Sequence, residues 1–194
     1  MPTRLTISSP PPRLIQAALD VFFALHREHG LTVDNVASTI VNLPEDVVRI
    51  VNGRSMPDGN CQHMIAMSLI DGSATFESTH SYEYMSDPVV LAVKERVSLV
   101  PSAALMARDA PRRAKVEVVQ NDGRMVVHFT PHTYGTRQNP MDTENVIKKA
   151  RNLLEPVLGS THTEEIIRRF NELKNVANVN ELMLSADPDA GGDG

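Results

Sequence analysis

The sequence predicts an α+β fold: a two-layer α/β sandwich with a mainly antiparallel sheet, followed by C-terminal helices. Three observations carry that expectation. Residues Ala114 to Gln120 and Met125 to Thr130 alternate in character around Asn121-Asp122-Gly123, which is the pattern of a β-hairpin. The stretch Asp58 to Gly72, DGNCQHMIAMSLIDG, is apolar nearly all round after its first turn, as a buried helix is. Beyond Asp142 only helical periodicity is left.

Taken in order, residues 1–12 are polar and proline-rich, and Pro10-Pro11-Pro12 holds the backbone extended. From Arg13 the positions Leu14, Ala17, Ala18, Val21, Phe22 and Leu25 follow the helical period, with Gly30 as C-cap. His26 and His29 lie in the last turn, where they are expected as cations facing the negative end of the helix dipole. Val36 to Leu43 alternates as a strand. Pro44-Glu45-Asp46 starts a short helix that Asn52-Gly53 ends. After the buried helix, Ser73 to Asp87 reads as one short helix and a connecting loop. Asp87-Pro88 opens a helix to Arg96 that runs into a strand, Val97 to Val100, and a loop with a helical turn near Ala103 to Met106.

The hairpin leads into a second distinctive loop, HTYGTRQNPM, from His132 to Met141. A helix capped by Asp142 or Thr143 is then expected to break at Pro156 and stop at Gly159. A second helix starts with Thr161 or Thr163 as cap, and a short one follows at Asn180 to Leu184, before a disordered tail. The organisation is therefore an extended segment 1–12, a small α+β domain 13–141, a helical segment 142–185 and a tail 186–194.

Composition excludes several function classes. The net charge is −5, and the short Arg112-Arg113 and Arg168-Arg169 pairs do not change that balance, so nucleic acid is not an expected partner. One cysteine, Cys61, rules out an intramolecular disulfide framework and any multi-cysteine zinc site. No signal-peptide core and no run long enough to span a membrane is present, and a reducing cytoplasm is the simplest setting. Phosphate loop, dinucleotide fingerprint, nucleophile elbow and metal-spaced acid/His clusters are all missing from the pattern. With no Trp, three Tyr and five Phe, the core must be mainly aliphatic and methionine-rich.

Candidate site residues come from two places. Gln62 and His63 occupy the first turn of the buried helix, where free backbone N–H groups favour an anion and keep an imidazole neutral. A neutral His63 could accept or return a proton, and Gln62 could orient a ligand. The alternatives are a structural histidine and a capping glutamine. Arg137, in the GTRQNPM loop, can pair with a carboxylate through its forked donors, with Tyr134 and His132 as weaker neighbours. A solvated loop arginine is the plain alternative. Cys61 reads as a small core residue.

The ordered set CQHMIAMSLIDG, SDPVVLAVKERVSLV, the hairpin with NDGR, YGTRQNPM and the helix ending EPVLG resembles the C-terminal part of the MmgE/PrpD family. That family includes 2-methylcitrate dehydratase, cis-aconitate decarboxylase and iminodisuccinate epimerase. The resemblance runs from about Arg13 to Leu184. It implies a small α+β domain that closes an active-site cleft against a large helical domain, with no metal and no organic cofactor. Chemistry would begin at a carbon next to a carboxylate of a small polycarboxylic acid. For such chemistry the residues read above supply the expected site, with His63 as catalytic residue and Gln62, Arg137 and Tyr134 binding substrate. A helical-domain partner or a homodimer is implied as well.

This sequence departs from the family in three respects. The helical domain that precedes this region in family members is not in the sequence. Relatives commonly carry a lysine just upstream of the helix beginning at Arg13, where this chain has Ile7 and Ser8 with Arg4 as the nearby cation. His63 stands where several relatives have tyrosine. Two functions follow as expectations: part of a dehydratase-like lyase or isomerase, or a non-catalytic oligomerisation and interaction module that keeps the fold.

Overall fold

The computed structural model describes residues 14–106 and 112–175. The extended N-terminal segment, the short helix expected at Asn180 to Leu184 and the tail lie outside the described residues. The chain divides into two compact units between Pro140 and Met141.

In the first unit the elements run α1 (Gln16–His29), β1 (Val36–Leu43), α2 (Glu45–Val51), α3 (Cys61–Asp71), α4 (Phe76–His80), α5 (Tyr82–Met85), α6 (Pro88–Lys94), β2 (Val97–Pro101), a 3-10 turn (Ala103–Leu105), β3 (Ala114–Gln120) and β4 (Met125–Thr130). The four strands form one sheet in the order β2-β1-β3-β4. β1 pairs antiparallel with β3, and β3 with β4, while β1 and β2 are parallel. The sheet is therefore mixed. The parallel pair needs a crossover, and α2 through α6 supply it.

The helices cover one sheet face. α1 packs on β3 and β4, and α3 packs on α1, α6 and β2. Between them lies a mainly aliphatic core that includes Phe22, Leu19, Leu25, Leu43, Met64, Ile65 and Met67, all fully buried. On β1 the buried set is Val36, Thr39, Val41 and Leu43. Strict alternation could not place both Val36 and Val41 inside. A register shift between Val36 and Ser38 against β3 makes it possible, as a bulge does.

The other sheet face is not buried in this way. Lys115 Nζ meets Glu117 Oε1 at 2.9 Å, Asn42 Nδ2 donates to the same oxygen at 3.0 Å, and Met125, Val127 and Phe129 are exposed beside them on β4.

Three local expectations are corrected. His26 is half-buried against Phe22, with ring centroids 6.3 Å apart, and burial lowers its pKa. Desolvation opposes the cation expected there, although Gly30, at φ 58°, caps the helix. The segment after Ser73 holds two short helices instead of one. Thr75 and Ser78 form a reciprocal capping box, and Ser81 ends the first helix and caps the second by accepting from Tyr84 N–H.

The third correction lies in the second unit, where α7 (Thr143–Asn171) precedes a 3-10 turn (Leu173–Asn175). Asp142 caps it by accepting from Asn145 N–H at 2.7 Å. Pro156 sits inside the helix, and the interruption comes at Gly159, with φ 72° and ψ 164°. That conformation is almost confined to glycine, whereas a proline near the end of a helical segment forfeits one hydrogen bond without setting the direction of the chain. Thr163 is buried within the helix that follows, so it is not a cap. Arg151 and Glu164 pair across the kink.

Candidate functional site

The first turn of α3 is built by three side chains. Asn60, the N-cap, accepts from His63 N–H at 3.0 Å and donates through its amide to Arg54 O at 2.6 Å. Gln62 turns toward the end of α2, accepting from Gly53 N–H at 3.3 Å and donating to Asn52 Oδ1. Both ends of its amide are thus engaged in holding the α2–α3 connection.

His63 faces inward and is 0% exposed. Neither ring nitrogen has a hydrogen-bond partner. Such orphaned buried polar atoms are rare in folded proteins, because each forfeits its bonds to water without replacement. Burial, reinforced by the positive charge of Lys94 on α6, lowers its pKa to about 4, so the ring is neutral at physiological pH. The ring of Tyr84 meets it edge-to-face at 6.5 Å. Tyr84 Oη in turn donates to Asp71 Oδ1 at 2.7 Å, and burial with that carboxylate holds the phenol well above its usual pKa. Ser68 Oγ, two turns along α3 from Cys61, is likewise buried without a partner. Cys61 itself is fully buried and its thiol is pushed up to about 12, as suits a core residue and not a nucleophile.

The loop after β4 is held differently. Gly135 N–H donates to Asn139 O at 2.8 Å, Thr136 Oγ1 to Thr133 O at 2.8 Å, and Asn139 Nδ2 to His132 O at 3.1 Å. These bonds close the loop on itself with Arg137 exposed at its tip. From α1, Gln16 Nε2 donates to Tyr134 O and Asp20 Oδ2 accepts from Tyr134 N–H, both at 2.8 Å. Asp20 is half-buried, and desolvation raises its pKa to about 6 against the lowering effect of the Tyr134 N–H.

Sequence reasoning missed Gln16, Asp20 and Tyr84. The first two stand four residues apart on one stripe of a helix, a spacing visible in the sequence. What they grasp is more than a hundred residues away. The structure places the two groups of candidates on different supports: His63 faces α5 and α6, whereas Tyr134 and Arg137 belong to a loop fastened to α1. Among the described residues, no group of three or more His, Cys, Asp or Glu side chains could hold a metal ion. No helix there is long and apolar enough to cross a membrane.

A family model described as the MmgE/PrpD C-terminal domain matches residues 10–174. The chain belongs to this family. No curated protein matches it. In this MmgE/PrpD C-terminal domain the match takes in every described element of the α+β unit, α3 with His63 among them, the loop carrying Arg137 and the full length of α7.

Proposed function

We propose that this chain forms one wall of a cofactor-independent MmgE/PrpD-type lyase or isomerase, dehydratase-like, acting next to a carboxylate of a small polycarboxylic acid. The observation that carries the reading is His63: a neutral imidazole, sealed from water, with both nitrogens unbonded at a helix N-terminus. Once the half-exposed Tyr84 swings off the ring, a free nitrogen lone pair can take a proton from a carbon beside a carboxylate, and the other wall of the cleft would come from a helical domain or a second copy. Arg137 pairs with a substrate carboxylate, Tyr134 lines the same loop, and Gln62 contributes by holding the start of α3.

The test is hydrogen exchange at carbon. The chain, supplied with a family helical domain, is incubated with citrate-like acids in deuterated water, and deuterium entry beside the carboxylate is followed by NMR. His63→Ala is expected to slow that exchange by about a hundredfold or more. Exchange that His63→Ala leaves unaltered removes the catalytic assignment.

A second reading, a non-catalytic oligomerisation module, is favoured by one observation: Met125, Val127 and Phe129 are exposed together on β4. A homo-oligomer in light scattering, without carbon exchange in any combination, would support it.

A further inference from the structure

Tyr134 is gripped at both ends of its backbone by one stripe of α1. Gln16 binds its carbonyl and Asp20 its N–H, at 2.8 Å each, across 118 and 114 residues of sequence. Two side chains four residues apart on a helix thus imitate the paired bonds of a neighbouring strand, on a loop that leaves the edge strand β4. Inside the loop, Thr133 is buried, and the bonds from Gly135 to Asn139 and from Thr136 to Thr133 carry this anchorage toward Arg137. An exposed arginine on an unanchored loop would have to be ordered each time it met an anion. A clamped backbone removes much of that cost before binding.

We propose that Gln16 and Asp20 are positioning residues of the polycarboxylate site: by holding the Tyr134 peptide they fix the loop in the form in which Arg137 receives a carboxylate. Neither touches substrate. The pair acts through the backbone, so what each position requires is an acceptor at 20 and a donor at 16, not a charge. This proposal rests on the substrate reading given above.

The experiment uses the full chain, supplied with a family helical domain as above, and tricarballylate, a three-carboxylate probe, with two readouts: amide hydrogen exchange across residues 132–139, and probe affinity by calorimetry. Asp20→Ala is expected to speed loop exchange and weaken the probe by about fivefold to tenfold, with exchange in α3 and β3 unaltered. Asp20→Asn, which keeps an acceptor oxygen, is expected to restore both. Arg137→Gln should weaken the probe without loosening the loop.

If Asp20→Ala and Gln16→Ala leave loop exchange as in the wild type, the clamp is overturned. If the loop loosens but the probe binds equally well, the positioning role alone is overturned. A wild-type chain that binds no tricarballylate, with loop exchange still responding to Asp20→Ala, overturns the substrate site and with it the positioning role. Should Asp20→Ala unfold the chain, the comparison of Gln16→Ala with Gln16→Glu decides the same question, since glutamate keeps the shape and loses the donor.

Discussion

The ring of His63 lies edge-to-face against the ring of Tyr84, with planes at 81° and centroids 6.5 Å apart. Tyr84 is itself tethered by one hydrogen bond to Asp71, at the far end of the helix that starts two residues before His63. An imidazole without a polar partner is thus kept dry by a half-exposed side chain on a helix of four residues.

That arrangement predicts how His63 responds to its cover. Tyr84→Ala admits water to the ring, and the His63 pKa is expected to climb from about 4 back toward its usual 6.5, read from its ring proton by NMR. Tyr84→Phe loses only the bond to Asp71, at a cost of about 1 kcal/mol, and should leave the pKa low. A low value that survives Tyr84→Ala would mean the seal comes from elsewhere.

Between pH 4 and 6, two groups act on stability in opposite senses, His63 and Asp20, and His26, whose pKa burial also lowers, acts in the same sense as His63. His63 has a folded pKa below its unfolded value, so its contribution is full above 6.5 and is lost as pH falls toward 4. Asp20 has a folded pKa of about 6, above its ordinary 3.8, so its contribution is full below 4 and is lost as pH rises to 6. The two shifts are of similar size, on the order of 3 kcal/mol each, and opposite in sign. In urea unfolding each therefore masks the other's pH dependence. Asp20→Asn should make stability fall on acidification, and His63→Leu should make it fall as pH rises. Parallel profiles for both variants would refute the assignment.

The kink in α7 gives a pair of opposite effects. Gly159→Ala is expected to destabilise the second unit by about 1–3 kcal/mol, because its φ of 72° suits only glycine, although no atom lies within 4 Å of the added Cβ. Pro156→Ala restores a backbone donor inside the helix and should stabilise it. Thermal unfolding followed by circular dichroism compares the two. A more stable Gly159→Ala variant would place the strain elsewhere.

Met67→Ala tests the buried character of α3. The side chain is fully enclosed, and truncation should cost about 2–5 kcal/mol in denaturant unfolding. A loss below about 1 kcal/mol would show that the surrounding core closes over the gap.

Much of this was legible in the sequence because it depends on near neighbours. Alternation around Asn121-Asp122-Gly123 determined the β3–β4 hairpin, whose register pairs Val118 with Val126. Nearly continuous apolar character beyond the first turn determined that α3 would be buried, and Asn60 and Gly72 determined its ends. Where two local signals competed, at Pro156 and Gly159, the pattern pointed to a break at the proline, and the structure puts it at the glycine.

Tertiary structure alone decided the rest. It set β1 parallel to β2 through a crossover of five helices, and it left both nitrogens of His63 without a partner. It also brought Asp20 to the Tyr134 N–H. Periodicity shows that a side chain lies on the buried face of its own helix. It is silent on what the opposing element offers in return, because a hydrogen bond, or the lack of one, belongs to two surfaces that meet only when the chain has closed on itself.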